Sequence, residues 1–172
     1  MKKLLAVTSL IAIGAVAASA VHAETISQDL QVRAVVPAGD FYVNPASGWP
    51  TTPVQMGWDS VNERFTDYNL PLRMKNSLQT SGANPVAQGK IKASLGYPTV
   101  LTNGTDNMPV AVKVSSESKA TPVVLTTTPQ EVYANPAGAE ENGNLNLSVN
   151  NVGTPVPGTY NGVAALIFDS AL

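Results

Sequence analysis

Three carboxylates, Asp59, Glu63 and Asp67, recur at a spacing of four. On a helix that spacing stacks side chains on one face, an arrangement suited to general acid–base work or to a hard cation. The run around them carries no apolar stripe of helical period, so they read as ordinary surface charge in a solvated turn between two strands, with Arg64 as a screened partner. Glu140 and Glu141 fall in a second such stretch, Pro136 to Gly143, whose glycines and asparagines mark a solvated loop. Calcium would require more oxygen ligands at closer spacing than that loop offers.

Other chemistries are limited by composition. The chain has no cysteine and one histidine, His22. Residues 1–23 have the form of a secretory signal peptide: Lys2 and Lys3, an apolar run from Leu4 to Val16, then small residues up to Val21-His22-Ala23. Cleavage between Ala23 and Glu24 places Val21 and Ala23 at the small-residue positions, with a cut after Ala20 as the weaker choice. The mature chain then has neither Cys nor His, which removes Ser/His/Asp and Cys/His triads and the preferred ligands of zinc and copper. No phosphate-binding glycine loop is present, because the glycines stand in turns. No cofactor, metal site or enzymatic activity is expected.

Trp49, Trp58, Phe65 and Tyr68 could line a sugar-binding platform. Trp58, Phe65 and Tyr68 sit in strands with apolar neighbours and are read as core, whereas Trp49, between Gly48 and Pro50, is the open candidate. Asn103-Gly104-Thr105 and Asn146-Leu147-Ser148 match the N-glycosylation acceptor pattern but fit turn and strand-face positions.

Removing residues 1–23 from 172 leaves 149, enough for one domain with a sizeable core. The formal charge falls from −2 to −4 with the loss of two lysines, so nothing favours nucleic acid or anionic lipid. The leader is too short for a membrane anchor and no later segment approaches a span. Thirteen Gly and thirteen Pro punctuate short runs rich in Val, Thr, Leu and Ile, an all-β pattern. Strands are expected at Val54 to Trp58, Phe65 to Lys75, Lys90 to Leu95, Met108 to Ser115, Pro122 to Thr128, Val132 to Ala134 and Leu145 to Val149. Pro71 argues for an edge or a bulge in the second of these. Tyr160 to Phe168, the most continuously apolar stretch, reads as a strand buried on both faces. About seven strands of this kind suggest an immunoglobulin-like sandwich lacking the Cys-Trp-Cys hallmark.

The clearest strand comes first. From Glu24 to Val36, residues Ile26, Gln28, Leu30, Val32, Ala34 and Val36 share one face, apolar except at Gln28, and the run stops at Pro37-Ala38-Gly39. That face must be buried, either in its own sandwich or in another molecule's groove.

The closing segment Pro157 to Phe168, PGTYNGVAALIF, together with Leu30-Gln31-Val32-Arg33-Ala34, Met56-x-Trp58 followed by Phe65-x-x-Tyr68, and Met108-Pro109-Val110-Ala111-Val112, resembles the major pilins of the alternate chaperone–usher pathway, the colonisation-factor type. The similarity covers essentially the whole mature chain, with the four motifs in the family's order. It implies an incomplete immunoglobulin-like β-sandwich completed by a donor strand from a neighbouring subunit. It further implies a signal peptide (1–23), a donor-strand arm (24–37) and a pilin domain (38–172). The donor side chains would be Ile26, Gln28, Leu30, Val32, Ala34 and Val36. The acceptor groove would be walled by Tyr160, Gly162, Val163, Ala165 and Ile167, or by the alternate set Gly162, Ala164, Leu166 and Phe168. Expected partners are identical subunits in a head-to-tail polymer, a periplasmic chaperone, an outer-membrane usher and a tip adhesin, with export through the periplasm to a surface fimbrium used for adhesion. The alternatives are a minor pilin or a sugar-binding adhesin module of the same fimbria, and a secreted carboxylate-dependent enzyme. Tip adhesins of this pathway carry an added lectin domain, for which 149 residues leave no room.

Overall fold

The computed structural model describes residues 27–28, 32–33, 40–80, 88–149 and 155–172. The leader with its Ala23–Glu24 junction, and Ile26, Leu30, Ala34 and Val36 of the arm, lie outside them. In chain order the strands are β1 (Ser27–Gln28), β2 (Val32–Arg33), β3 (Phe41–Pro45), β4 (Val54–Gln55), β5 (Trp58–Asp59), β6 (Arg64–Phe65) and β7 (Tyr68–Asn76). They continue with β8 (Lys90–Leu95), β9 (Val100–Thr102), β10 (Asn107–Ser116), β11 (Val123–Val124), β12 (Gln130–Tyr133), β13 (Glu141–Val149) and β14 (Leu166–Ala171). No helix occurs among the described residues.

Two sheets face each other in an immunoglobulin-like sandwich. One has the order β11-β10-β13-β7-β3, with β9 also on β10, and the other β12-β8-β14-β2. Period-two sequence supplies the inner faces: Leu70, Leu72 and Met74 from β7, Val110, Val112 and Val114 from β10, and Leu145 and Leu147 from β13 meet Ile91, Ala93, Leu166 and Phe168 of the opposite sheet in one buried cluster. The alternate positions of β13 and β7 are polar: Asn144 and Asn146 each donate a side-chain hydrogen bond to Asn69 at 3.0 Å.

Several expectations are corrected. Val54 to Trp58 divides into β4 and β5, and Trp58 folds back on Phe65 in the β5–β6 hairpin, edge to face at 5.0 Å between ring centroids. β7 is an interior strand, paired with β13 and β3, although it contains Pro71. The Pro71 carbonyl accepts from the Ala46 N–H at 3.0 Å, just past the last β3 pair, Pro45 with Leu72. Its ring nitrogen faces that same side, where β3 is ending, so the absent donor interrupts no interior ladder. Pro122 to Thr128 shrinks to two strand residues. The Asn103-Gly104 turn is present, with Gly104 at φ 93° and the Asn103 carbonyl oxygen Oδ1 accepting from the N–H groups of Thr105 and Asp106.

Leu145 is fully buried at the centre of the larger sheet. Leu145→Ala is expected to lower unfolding free energy by about 2–5 kcal/mol, the range for core leucine truncation, measured by the urea midpoint at unchanged m-value.

Candidate assembly site

Edges decide what this sandwich can do. β14 pairs along one side with β8, antiparallel from Leu166–Leu95 to Ala171–Lys90. Its other side takes β2, in parallel, with Val32 opposite Leu166 and Arg33 opposite Ile167. Slightly earlier in the arm, β1 pairs antiparallel with β4, Ser27 opposite Gln55 and Gln28 opposite Val54. Within one chain the arm therefore pairs with β4 at residues 27–28 and with β14 at residues 32–33. Beside it an open cleft of about 430 Å³ is lined by Pro50, Thr52, Pro53, Val54, Gln55 and Tyr68.

The residues before β14 are held by irregular contacts that periodicity could not reveal. Asn161 and Thr102 exchange two backbone hydrogen bonds, at 2.8 and 2.9 Å, and Gly162 lies so close to the Val100 carbonyl that a β-carbon has no room there. The Tyr160 hydroxyl donates to the Val156 carbonyl at 2.8 Å. The Gly96 N–H then donates to the Ala165 carbonyl at 2.8 Å, bringing the chain onto the smaller sheet. Tyr160 is buried, Gly162, Val163 and Ala165 are half-buried, and Ile167 is 41% exposed. Ala164, Leu166 and Phe168 are buried. The segment expected to be covered on both faces thus has an inner row in the core and an outward Ile167, because only one face of this outer layer meets the facing sheet.

At the far end of β14, Asn76 is fully buried. Its Nδ2 donates to the Lys90 carbonyl at 2.7 Å and to the Ala171 carbonyl at 3.4 Å, while its Oδ1 accepts from the Leu78 N–H. The adjoining Ser77 N–H donates to the Asp40 carbonyl at 2.8 Å. The point where the arm joins its domain is thereby fixed beside the end of β14. Tyr42, two residues on, donates its hydroxyl to Glu140, which also meets Arg73 at 3.1 Å. That hydrogen bond, followed by burial, pushes the Tyr42 phenol up to about 12.

The other candidate groups are dispersed. Asp59 accepts from the N–H groups of Val61 and Asn62 and from the Asn62 side chain in the β5–β6 turn, bonds that hold its carboxyl below the usual range. Asp67 accepts from Asn146. Glu141 corrects the loop reading: it is buried at the start of β13, accepting from the Ser118 N–H and hydroxyl and from Asn135. Its cue was the alternation of Leu145 and Leu147 carried back by four residues, obscured by Asn142-Gly143. Glu131 lies between Lys119 at 2.7 Å and Lys90 at 3.2 Å, a pairing that lowers its carboxyl value. No three acidic, His or Cys side chains converge among the described residues. Trp49 packs against the core while Trp58 is 41% exposed, the reverse of the order expected.

The smaller sheet of this β-sandwich thus takes its outermost strand from the chain's own amino-terminal arm. The chain matches the model of the CS1 type fimbrial major subunit over residues 26–169, and it belongs to that family. It is a structural major pilin, a subunit that polymerises with identical copies into a surface fimbrium. Among solved structures, that of the CooA pilin subunit from enterotoxigenic Escherichia coli aligns over 77% of this chain and 88% of its own, with 12% identity and a TM-score of 0.49. No curated protein sequence matches the chain.

Two measurements probe the root of the arm. Asn76→Ala removes the side-chain partner of the part-buried Lys90 carbonyl and Leu78 N–H and is expected to cost about 1–3 kcal/mol, read from the urea midpoint. The raised Tyr42 value means its contribution to stability is complete below the usual tyrosine value of 10.0 and is lost as pH rises through about 12. Tyr42→Phe should therefore remove one late-titrating phenol from the ultraviolet titration and flatten the fall in stability across that window.

Proposed function

We propose that residues 24–36 are a donor strand that leaves its own domain and fills the seam of the next subunit, so that the shaft grows by donor-strand exchange. The observation that carries this reading is the hydrogen-bonded pairing of Val32–Arg33 with Leu166–Ile167 on the free side of β14. An edge that accepts this segment within one chain offers the same backbone groups to the same segment of another, which is strand addition in its usual form. The alternating row Ile26, Leu30, Val32, Ala34 and Val36 supplies the apolar side chains, with Gln28 at a shallow position. The buried register Ala164, Leu166 and Phe168, with Val54 and Met56 across the seam, supplies the floor. Because the interface joins unlike surfaces, it does not close on itself and generates an open filament.

The remaining steps follow from the same edge. An unfilled seam exposes unpaired backbone and apolar side chains, so a periplasmic chaperone lends a strand after the leader is removed between Ala23 and Glu24. An outer-membrane usher hosts the exchange, and a tip adhesin subunit begins the filament.

Deleting residues 24–36 is expected to leave a weakly stable domain that the free arm peptide rescues. At a hundredfold excess over Kd the gain is about 2.7 kcal/mol, or roughly 5–10 °C in Tm for a domain of this size. Only the complete chain should form ladders of polymers by size analysis. A truncated domain that unfolds with no response to the peptide overturns the exchange reading.

A further inference from the structure

We infer that Asn103 is a modification site: the β9–β10 turn favours conversion of its side-chain amide to a carboxylate by attack of the Gly104 backbone nitrogen, while the fold holds back the other two Asn-Gly pairs of the chain. The inference is independent of the donor-strand reading.

The dipeptide occurs at Asn103-Gly104, Asn142-Gly143 and Asn161-Gly162. A glycine, lacking a β-carbon, lets its backbone nitrogen turn onto the preceding side-chain carbonyl carbon without a clash, so all three can cyclise once the backbone is free to rotate. In that step the glycine nitrogen gives up its proton to water and bonds to the asparagine Cγ. The Cγ–Nδ2 bond breaks and the nitrogen leaves as ammonia. Water then opens the resulting succinimide at one of its two ring C–N bonds, giving aspartate or isoaspartate. Water is the only reagent consumed.

The fold treats the three pairs differently. Gly143 lies within β13, opposite Leu72 on one side and Ser116 on the other, with Met74 and the Ser115 carbonyl crowding the place of a β-carbon. The Asn142 side-chain nitrogen is bonded to Glu117 at 2.8 Å. Asn161 is held by its two backbone hydrogen bonds with Thr102, and Gly162 lies against the Val100 carbonyl. Neither backbone has room for the rotation that brings nitrogen over carbonyl carbon. Gly104, by contrast, is exposed at φ 93°, with nothing within 4 Å of where a β-carbon would stand.

The contacts of Asn103 favour the reaction itself. Its Oδ1, where negative charge develops as the nitrogen adds, accepts from the N–H groups of Thr105 at 2.9 Å and Asp106 at 2.7 Å, two donors fixed in advance where an oxyanion forms. Its Nδ2, the leaving nitrogen, meets the Asp106 carboxylate at 3.5 Å, which favours the positive charge gained on protonation before departure. The Gly104 N–H points at the Thr102 hydroxyl oxygen at 3.1 Å, an acceptor for the proton to be lost. The product sets a second carboxylate against Asp106, and the isoaspartate form also lengthens the backbone of the turn. The turn is thereby loosened beside Thr102, whose bridge to Asn161 leads the chain toward β14.

The test ages the mature chain in neutral buffer, with and without denaturing urea, and maps each Asn-Gly peptide by mass and by isoaspartate content. In the folded chain Asn103 is expected to convert at least about tenfold faster than Asn142 and Asn161, since misplacing reacting atoms by about an ångström costs that much or more. In urea the three rates should converge. Comparable rates at the three sites in the folded chain, or earlier conversion at Asn142 or Asn161, overturns the inference. Asp106→Ala is expected to slow Asn103 about threefold in the folded chain, the scale of an exposed charge contact, and to leave its rate in urea unchanged. An unaltered rate in the folded variant, or equal slowing in urea, overturns the part given to Asp106. The comparison of folded and urea-treated native sequence requires no substitution, so it decides the inference even where the variant fails to fold.

Discussion

The backbone pairing of β14 on both its sides, with β8 and with the arm, is the constraint on which the rest of this subunit depends. β14 lies between β8 and the arm, and its inner side chains Leu166 and Phe168 belong to the central core. Removing the arm segment leaves a backbone edge and adjoining apolar floor facing water, a combination that folded proteins normally cover, shorten or charge. Here the edge is covered by the arm segment Val32–Arg33. The absence of cysteine is consistent with this economy, since the ladder itself provides the stapling that disulfides provide in many exported domains.

The surrounding structure makes the edge usable. The larger sheet is stiff, with β13 inserted between β10 and β7 over long antiparallel registers, and its outer face is polar. At one end of β14, Gly162 and the Asn161–Thr102 bridge bring the chain across from the larger sheet. At the other, Asn76 joins β7 to the carbonyls of Lys90 and Ala171. A buried asparagine satisfied on both its carbonyl and amide sides is a strong positional constraint, because one side chain ties together the backbone of Lys90, Ala171 and Leu78. The edge that takes β2 lies between these two fixtures.

How much of this was legible in the sequence varied with the physical origin of each feature. Strands whose alternation arises from one buried face, such as Lys90–Leu95 and the valines of β10, were read closely because burial and period coincide there. Pro71 pointed toward an edge, but the relevant fact was where the neighbouring strand β3 stops, which is a tertiary property. The Pro136–Gly143 stretch has a loop's composition, yet Glu141 is buried because Ser118 and Asn135, distant in sequence, satisfy its carboxylate. Trp49 and Trp58 exchanged their expected exposures for a similar reason: flanking Gly and Pro say that Trp49 is in a loop, not where that loop lies. The closing strand was located by its apolar run, but a run without alternation cannot say which row faces inward. Asn76 gave no sequence signal, because nothing local distinguishes a clamping asparagine from a turn residue.

The arm shows most directly how topology adds meaning to a pattern. Its alternating row specifies a strand and a burial face, and says nothing of which molecule provides the groove or in which direction the strand runs. In this structure the direction is given by the register: Val32 lies opposite Leu166 and Arg33 opposite Ile167, parallel to β14, and at the start of the domain the Asp40 carbonyl is held by the Ser77 N–H.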